Sequence, residues 1–174
     1  TADCLYSILV AGIGALNAHA GVAWLAGRTS RPAIWINVGI AGHATDPLGS
    51  VALVSRVSGE LLTQNFYPSI LAKWRGSLRA LHSLTEPSAE YTNDLFDLES
   101  GGFVRSSLRF ESREFIQLIK IVSDNAQNPH ERLQRHKVPD LMRPVLNQID
   151  DYVIGLAQLA REHVFDAKQD RADL

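Results

Sequence analysis

The feature that most constrains the fold is a short apolar run that ends in glycines and is followed by a helical stretch of small residues. Residues 7–11 form such a run, Gly12-Ile13-Gly14 follows it, and residues 15–26 have the composition of a buried helix. The pattern begins again at residues 33–38, which lead into Gly39-Ile40-Ala41-Gly42. The sequence therefore predicts two strands, each ending in a glycine turn, with a helix between them.

Two further apolar runs, residues 51–57 and 115–122, are the other candidate strands. All four runs are apolar on both faces or nearly so. Apolar strands that alternate with helices are typical of a sheet covered on both sides, because no face of the sheet is left for water. The pattern therefore predicts an α/β sandwich.

The clearest helix lies near the end of the chain, where apolar residues recur at helical spacing over residues 141–160, after a start at Pro139 and Asp140. From residue 166 onward the chain is charged and poor in apolar residues, which favours a frayed tail.

Between the third and fourth runs, residues 70–81 fit a helix and residues 82–87 a short strand or loop. With 174 residues, we expect one domain over 1–165 and a charged tail over 166–174.

Charge and composition argue against several classes of function. The 17 basic and 19 acidic residues give a net charge of −2 without long runs of one sign, which argues against a nucleic acid or an anionic membrane as partner. Residues 5–27 carry no charge, but Asn17, His19 and the glycines favour a buried strand and helix over a membrane span. The single cysteine, Cys4, can form neither an internal disulfide nor a zinc site, which favours the cytoplasm. No metal-ligand spacing occurs, so no metal is expected.

The glycine turns are candidate ligand sites. Gly12 and Gly14 allow a backbone to approach a ligand closely, and the following helix offers free amide donors to a phosphate or a ribose oxygen. For this turn and for residues 39–42, the alternative is a tight connection that binds nothing. The dinucleotide fingerprint is not met, because Asn17 stands where its third glycine belongs.

Two acidic residues occupy positions where a sheet of this kind collects ligands. Glu99 lies among apolar neighbours just before two glycines, and Asp124 follows the most strand-like run. The first carboxylate could bind paired hydroxyls through short charge-assisted bonds, and the second would lie inside a crevice. The structural alternatives are a helix start served by Asp97 or Glu99, and an Asx turn or helix cap at residues 123–125.

Five motifs, taken together and in order, resemble the purine nucleoside phosphorylase and methylthioadenosine/S-adenosylhomocysteine nucleosidase superfamily. They cover roughly residues 5–160 and are Ala11-Gly12-Ile13-Gly14 with Asn17-Ala18, Ile36-Asn37-Val38-Gly39-Ile40-Ala41-Gly42, Leu48-Gly49-Ser50-Val51, Phe96-Asp97-Leu98-Glu99-Ser100 and Val122-Ser123-Asp124-Asn125. The resemblance implies a three-layer αβα sandwich with a mixed, mostly parallel central sheet, and a homo-oligomer. It also implies an enzyme that cleaves the N-glycosidic bond of a nucleoside, with purine nucleosides as the leading class.

The resemblance assigns roles to particular residues. Asp124 donates a proton to the purine ring nitrogen as the base departs, Glu99 binds the ribose hydroxyls, and Leu98 packs under the sugar. Further substrate contacts are expected from Ile13, Gly14, Ile40, Ala41, Gly42 and Ser123. The attacking group is water in the nucleosidases and phosphate in the phosphorylases, so inorganic phosphate is a possible co-substrate and no other cofactor is implied.

Departures from the superfamily keep a second hypothesis open. The opening strand, which carries the water-activating acid of the nucleosidases, has no counterpart, and Trp35, Ile36 and Asn37 stand where phosphorylases have an arginine. The aromatic residue that stacks on the purine cannot be placed, and Phe66 and Tyr67 are the candidates. The alternative is a nucleoside- or base-binding regulatory protein that has kept the fold and lost catalysis.

Overall fold

The computed structural model describes residues 7–29, 33–88 and 90–172, so Cys4 lies outside the described residues. In chain order the elements are α1 (Ala15–Ala26), β1 (Trp35–Gly42), β2 (Val51–Gly59), β3 (Ser77–Ser83), β4 (Leu95–Asp97), α2 (Ser100–Ser107), β5 (Ile116–Asp124), α3 (Val138–Met142) and α4 (Leu146–Ala172). Short 3-10 turns also occur, one of them between α3 and α4. The predicted helix over residues 15–26 is confirmed as α1.

The described strands form one closed sheet in the order β1-β4-β3-β2-β5, with β5 hydrogen-bonded back to β1. The pairs β1/β5, β2/β3 and β3/β4 are parallel, whereas β1/β4 and β2/β5 are antiparallel. The α/β class and the mixed sheet are therefore confirmed. Because the sheet closes as a barrel, the three-layer sandwich stays a prediction.

Strand β5 lies between two apolar cores. All of its residues are buried, and alternate side chains of a strand face opposite sides. Leu118 and Val122 belong to the core against α1 and α2, whereas Ile119 and Ile121 belong to the core that includes α4. The helices contribute Ala18 and Val22 of α1, Phe103 and Val104 of α2, and Ile149, Tyr152 and Leu156 of α4.

The strand predicted over residues 7–11 is wrong. These residues form no strand, and Ile8 and Val10 are 91% and 90% exposed. Leu9 and Ala11 pack against Gly21 of α1, where an added Cβ would lie 3.0 Å and 3.1 Å from their side chains. The physical reason is that this run packs on α1 in place of the sheet; β1 pairs along its length with β5 alone and joins β4 only through Gly42 and Phe96.

The glycine-rich residues 39–42 form the end of β1 and not the predicted turn. The predicted strand over 33–38 continues through them, since β1 pairs with β5 from Trp35 to Gly42. A Cβ at Gly39 would lie 3.2 Å from Lys120 Nζ, so a small residue is needed there for close approach. The strands predicted over 51–57 and 115–122 are confirmed as β2 and β5.

Two helical predictions also need correction. Residues 70–81, expected to form a helix, contain the beginning of β3, which pairs in parallel with β2. The long final helix is interrupted between α3 and α4, because Pro144 has no backbone N–H to continue the helical hydrogen bonds. The end that was expected to fray from residue 166 is helical through Ala172.

Helices α1 and α2 approach each other closely at Gly102. A Cβ there would lie 2.0 Å from the carbonyl oxygen of Ala15, so Gly102→Ala forces the helices apart. We expect the free energy of unfolding, measured by urea denaturation, to fall by about 1–3 kcal/mol. Gly27→Ala is the matched control, because Gly27 has φ −66° and a Cβ there meets nothing closer than 3.6 Å. Equal losses in the two variants would contradict the close helix contact.

Candidate functional site

The Glu99 carboxylate joins the beginnings of two helices. Glu99 immediately precedes α2, and its Oε1 accepts a hydrogen bond of 2.7 Å from the backbone N–H of Gly14, which precedes α1. Gly14 has φ 95°, a conformation that glycine adopts without strain. Among the described residues Oε2 of Glu99 has no hydrogen-bond partner. This carboxylate is therefore oriented by the fold and keeps one oxygen available.

Asp97, and not Glu99, serves the start of α2. Its Oδ1 accepts the backbone N–H of Ser100 at 3.2 Å, and its Oδ2 accepts the Ser100 hydroxyl at 2.6 Å. The side chain of Glu99 makes no capping bond to its own helix. The helix-start interpretation thus applies to Asp97, whereas the Glu99 carboxylate contacts a different element.

Asp124 ends β5 and is buried. Its Oδ1 accepts a 2.5 Å hydrogen bond from the Ser123 hydroxyl, and its Oδ2 accepts a 3.1 Å hydrogen bond from the Tyr91 hydroxyl. The Ser123 hydroxyl also lies 3.4 Å from the carbonyl oxygen of Ala41. The carboxylate thus lies where β1 and β5 end together.

The Asx turn considered for residues 123–125 is made by Asn125. Its Oδ1 accepts the backbone N–H groups of Gln127 and Asn128 at 3.1 and 2.9 Å, and its Nδ2 donates to the carbonyl oxygen of Asp46 at 2.9 Å. The turn chemistry is therefore supplied by the residue after Asp124. The Asp124 carboxylate takes no part in it.

Gly42 connects the two acidic positions. It is the cross-strand partner of Phe96 on β4, three residues before Glu99, and of Asp124 on β5. A Cβ at Gly42 would lie 2.2 Å from the Phe96 ring and 2.8 Å from Oδ2 of Asp124. The structure therefore brings the segments that carry Glu99 and Asp124 to the same end of β1, one on each of its edges, with the ring of Phe96 beside the second carboxylate.

Tyr91 is a site residue that sequence reasoning missed. Its ring packs edge-on against Phe96 at 5.4 Å, and its hydroxyl oxygen accepts the backbone N–H of His130 at 2.8 Å while donating to Asp124. Burial raises the pKa of Tyr91 to about 12, and the neighbouring Asp124 charge adds to the shift. The phenol therefore stays protonated at neutral pH and is the donor in this contact. Its segment has no motif, so only tertiary structure could reveal it.

The other predicted contact residues divide into two groups. Gly14 lies against Glu99, whereas Ser123, Ala41 and Gly42 lie against Asp124. The side chain of Ile13 is largely exposed, and Leu98 and Ile40 are half-buried. Of the two aromatic candidates for the base, Phe66 is buried in the core beside β2 and Tyr67 is exposed, so the structure places neither beside Asp124.

Open cavities lie beside Phe96 and beside α2 in the described part of the molecule. One, of about 500 Å³, lies beside Phe96 and is lined by His82, Leu84, Ser88, Glu90, Thr92, Asn93, Asp94 and Phe96. The other, of about 320 Å³, lies between the end of β2 and α2. Neither is lined by Glu99 or Asp124, although Phe96, which lines the larger cavity, packs against Tyr91, whose hydroxyl bonds to Asp124.

No group of three or more His, Cys, Asp or Glu side chains in residues 7–29, 33–88 and 90–172 could hold a metal ion. Within the same ranges, every helix is too short or too polar to cross a bilayer.

A substitution of Asn125 tests whether this residue holds the turn after β5. Asn125→Ala removes the acceptor of the partly buried backbone amides of Gln127 and Asn128, and at about 0.5–1.5 kcal/mol for each hydrogen bond we expect the free energy of unfolding to fall by about 1–3 kcal/mol in urea denaturation. Gln127→Ala is the control, since the side chain of Gln127 is exposed and only its backbone N–H is used. Unchanged stability in Asn125→Ala would mean that Asn125 does not hold the turn.

Comparison with known proteins supports the fold. No protein-family profile and no curated protein sequence matches the chain. Among solved structures, a methylthioadenosine/S-adenosylhomocysteine nucleosidase (MTAN) variant from Chlamydia trachomatis matches with a TM-score of 0.65 and 21% identity, covering 82% of this chain and 74% of that one. The Streptococcus pneumoniae enzyme with a transition-state inhibitor gives 0.62 and 15%, covering 84% and 79%. The Neisseria meningitidis enzyme gives 0.60 and 13%, covering 85% and 78%. The chain therefore has the fold of these nucleosidases, as its sequence motifs predicted.

Proposed function

We propose that this chain cleaves the N-glycosidic bond of a purine nucleoside by hydrolysis. The observation that carries the proposal is the pair of carboxylates whose segments meet at the end of β1, Glu99 held by Gly14 and Asp124 at the end of β5. The nucleosidases of the same fold support it, because solved examples contain methylthioadenosine, adenine or a transition-state inhibitor.

Glu99 is assigned to the ribose. The Gly14 amide fixes the direction of the carboxylate through Oε1, which leaves Oε2 to accept a ribose hydroxyl. An ionised carboxylate forms shorter and stronger hydrogen bonds with hydroxyls than a neutral acceptor does. Leu98, half-buried beside it, is assigned to the apolar face of the sugar.

Asp124 is assigned to the base as general acid. In the proposed reaction the bond between C1′ and the base nitrogen breaks with its electron pair going to the base, and protonated Asp124 gives its proton to a ring nitrogen. Water then bonds to C1′ and releases a proton. The Tyr91 hydroxyl donates to Oδ2 and the Ser123 hydroxyl to Oδ1, and a protonated carboxyl group keeps acceptor capacity beside its single donor. General acid catalysis of this kind contributes about 10²- to 10⁴-fold in rate.

Water is preferred to phosphate as the attacking group. In the described part of the chain, no Arg or Lys side chain bonds to Gly14, Glu99 or Asp124. The buried cation on β5, Lys120, is already paired with Asp97. A phosphate dianion would therefore meet little positive charge here, and the neighbours of this fold are nucleosidases.

The decisive experiment compares Asp124→Asn and Glu99→Ala with the unaltered protein. Release of free base is followed with methylthioadenosine, adenosine and inosine, with and without phosphate. We expect Asp124→Asn to lower kcat by about 10²- to 10⁴-fold, because asparagine cannot donate the proton. Asp140→Asn is the control, since Asp140 is exposed on α3 and should leave turnover unchanged.

Three outcomes separate the possibilities. Turnover without phosphate supports hydrolysis, whereas strict dependence on phosphate replaces it with phosphorolysis. No base released from any nucleoside at high protein concentration would refute the enzymatic proposal.

The second candidate function is nucleoside or base binding without catalysis. Two observations favour it: both oxygens of Asp124 already accept hydrogen bonds, and the cavity beside Phe96 does not reach this carboxylate. A rise in Tm with adenine or adenosine, lost in Glu99→Ala, together with undetectable turnover would establish this alternative.

We propose further that the chain works in the cytoplasm and that helices cover both faces of its sheet, in three layers.

We also propose that the chain forms a homo-oligomer. Oligomerisation is supported by the apolar side chains of Ile8, Val10 and Leu16, which are largely exposed. Sedimentation velocity is expected to give at least twice the monomer mass of 19.2 kDa. An Ile8→Ser/Val10→Ser variant should shift the distribution toward monomer, and a purely monomeric parent protein would contradict this proposal.

A further inference from the structure

A buried ion pair lies at the junction between β4 and α2, where Asp97 is the last residue of β4. Lys120 Nζ on β5 is 2.7 Å from Oδ2 of Asp97, and each side chain is only 1% exposed. Removing both charges from water is expensive, and such a pair seldom adds to stability compared with apolar residues of the same size. Neither charge belongs to the chemistry assigned to Asp124 and Glu99. The pair therefore calls for a reason other than stability.

The pair connects three strands and a helix. Lys120 also donates a hydrogen bond to Asn37 Oδ1 on β1, and Asp97 accepts two hydrogen bonds from Ser100 at the start of α2. The carbonyl oxygen of Asp97 accepts the backbone N–H of Leu84, just after β3. The junction is thus tied to β1 and β5 through one buried carboxylate and one buried ammonium, and to the end of β3 through a backbone hydrogen bond.

Glu99 stands inside this tied segment. Asp97 and Ser100 bracket it in the chain, and the only described hydrogen bond of its carboxylate is the one from Gly14. Any rotation of the β4–α2 junction would move the Glu99 carboxylate away from the Gly14 amide. We infer that Lys120 is a positioning residue, whose ion pair with Asp97 fixes this junction and so aims Glu99 at Gly14.

The first test needs no ligand. Hydrogen exchange of the Gly14 amide, followed by NMR, reports directly on its bond to Glu99. In Lys120→Met, Gly14 protection is expected to fall about tenfold more than that of amides in β2 and β5, as loss of one such bond implies. Because Lys120→Met leaves Asp97 without its counter-charge, Lys120→Met/Asp97→Asn is measured as well, and the same selective loss is expected.

Two control variants set the limits against which the hydrogen-exchange protection of the Gly14 amide is compared. Glu99→Ala sets the protection of Gly14 when its acceptor is absent. Tyr152→Phe removes a similarly buried 3.0 Å hydrogen bond, to Gln117 Oε1 on the other face of β5, and should alter Gly14 only as much as the whole sheet. If Gly14 in both Lys120 variants follows the sheet amides as it does in Tyr152→Phe, Lys120 is merely structural and the inference is overturned.

The second test rests on the proposed function. With adenosine as substrate, the neutral double variant is expected to raise KM about tenfold with a smaller change in kcat, and combining it with Glu99→Ala should add little further loss. Full additivity with Glu99→Ala would count against positioning. If the parent protein neither binds nor cleaves nucleosides, the proposed function fails, whereas the exchange measurement still decides the role of Lys120.

Discussion

The complete burial of β5 is the constraint on which the rest of the structure depends. This strand is hydrogen-bonded to β1 on one edge and β2 on the other, and its two faces lie in separate apolar cores. Polar groups on such a strand must find partners inside the protein. Lys120 pairs with Asp97, Gln117 pairs with Tyr152, and Asp124 pairs with Ser123 and Tyr91. Each polar residue of β5 thereby fixes a neighbouring element.

In both acidic motifs, a neighbouring residue performs the local structural task. Asp97 bonds to the first turn of α2, so Glu99 is available to contact Gly14. Asn125 makes the turn after β5, so the carboxylate of Asp124 is available to the site. Both structural alternatives weighed from the sequence therefore occur in the protein, the helix start at Asp97 and the turn at Asn125, and not at the two carboxylates assigned to the site. A motif of several polar residues can combine a structural and a functional role without requiring one side chain to serve both.

Local patterns were enough to predict much of the fold. The apolar runs at β2 and β5 and the small-residue helix α1 have periodicities that a single segment reveals, and the order of the motifs identified the fold. The strand expected at residues 7–11 failed because the run packs on α1, a tertiary contact that its own apolar pattern does not encode. The helix expected over 70–81 failed because a run of this length fits either periodicity until its neighbour β2 is known.

The residues of the candidate site also divide into those that the sequence could name and those that only the structure reveals. Gly14, Glu99, Ser123 and Asp124 belong to motifs and could be named from the sequence. Tyr91 and Lys120 could not, because the partner of each lies outside its own segment: Asp124 is 33 positions from Tyr91, and Asp97 lies on a different strand from Lys120. Pairings of this kind follow from the three-dimensional arrangement of strands, which periodicity does not encode.

The contact between Tyr91 and Asp124 has a consequence for whatever enters beside it. A phenol has one proton, and here that proton points to the carboxylate while the oxygen accepts the amide of His130. When the carboxyl gains a proton of its own, the polarity of the contact can invert, with Asp124 as donor and the second lone pair of the phenol as acceptor. The phenolic O–H then points away from Asp124 and can donate a hydrogen bond to another group. Protonation of a buried acid is in this way converted into a new hydrogen-bond donor on a neighbouring ring, so the charge state of Asp124 determines whether Tyr91 can donate a hydrogen bond to a ligand.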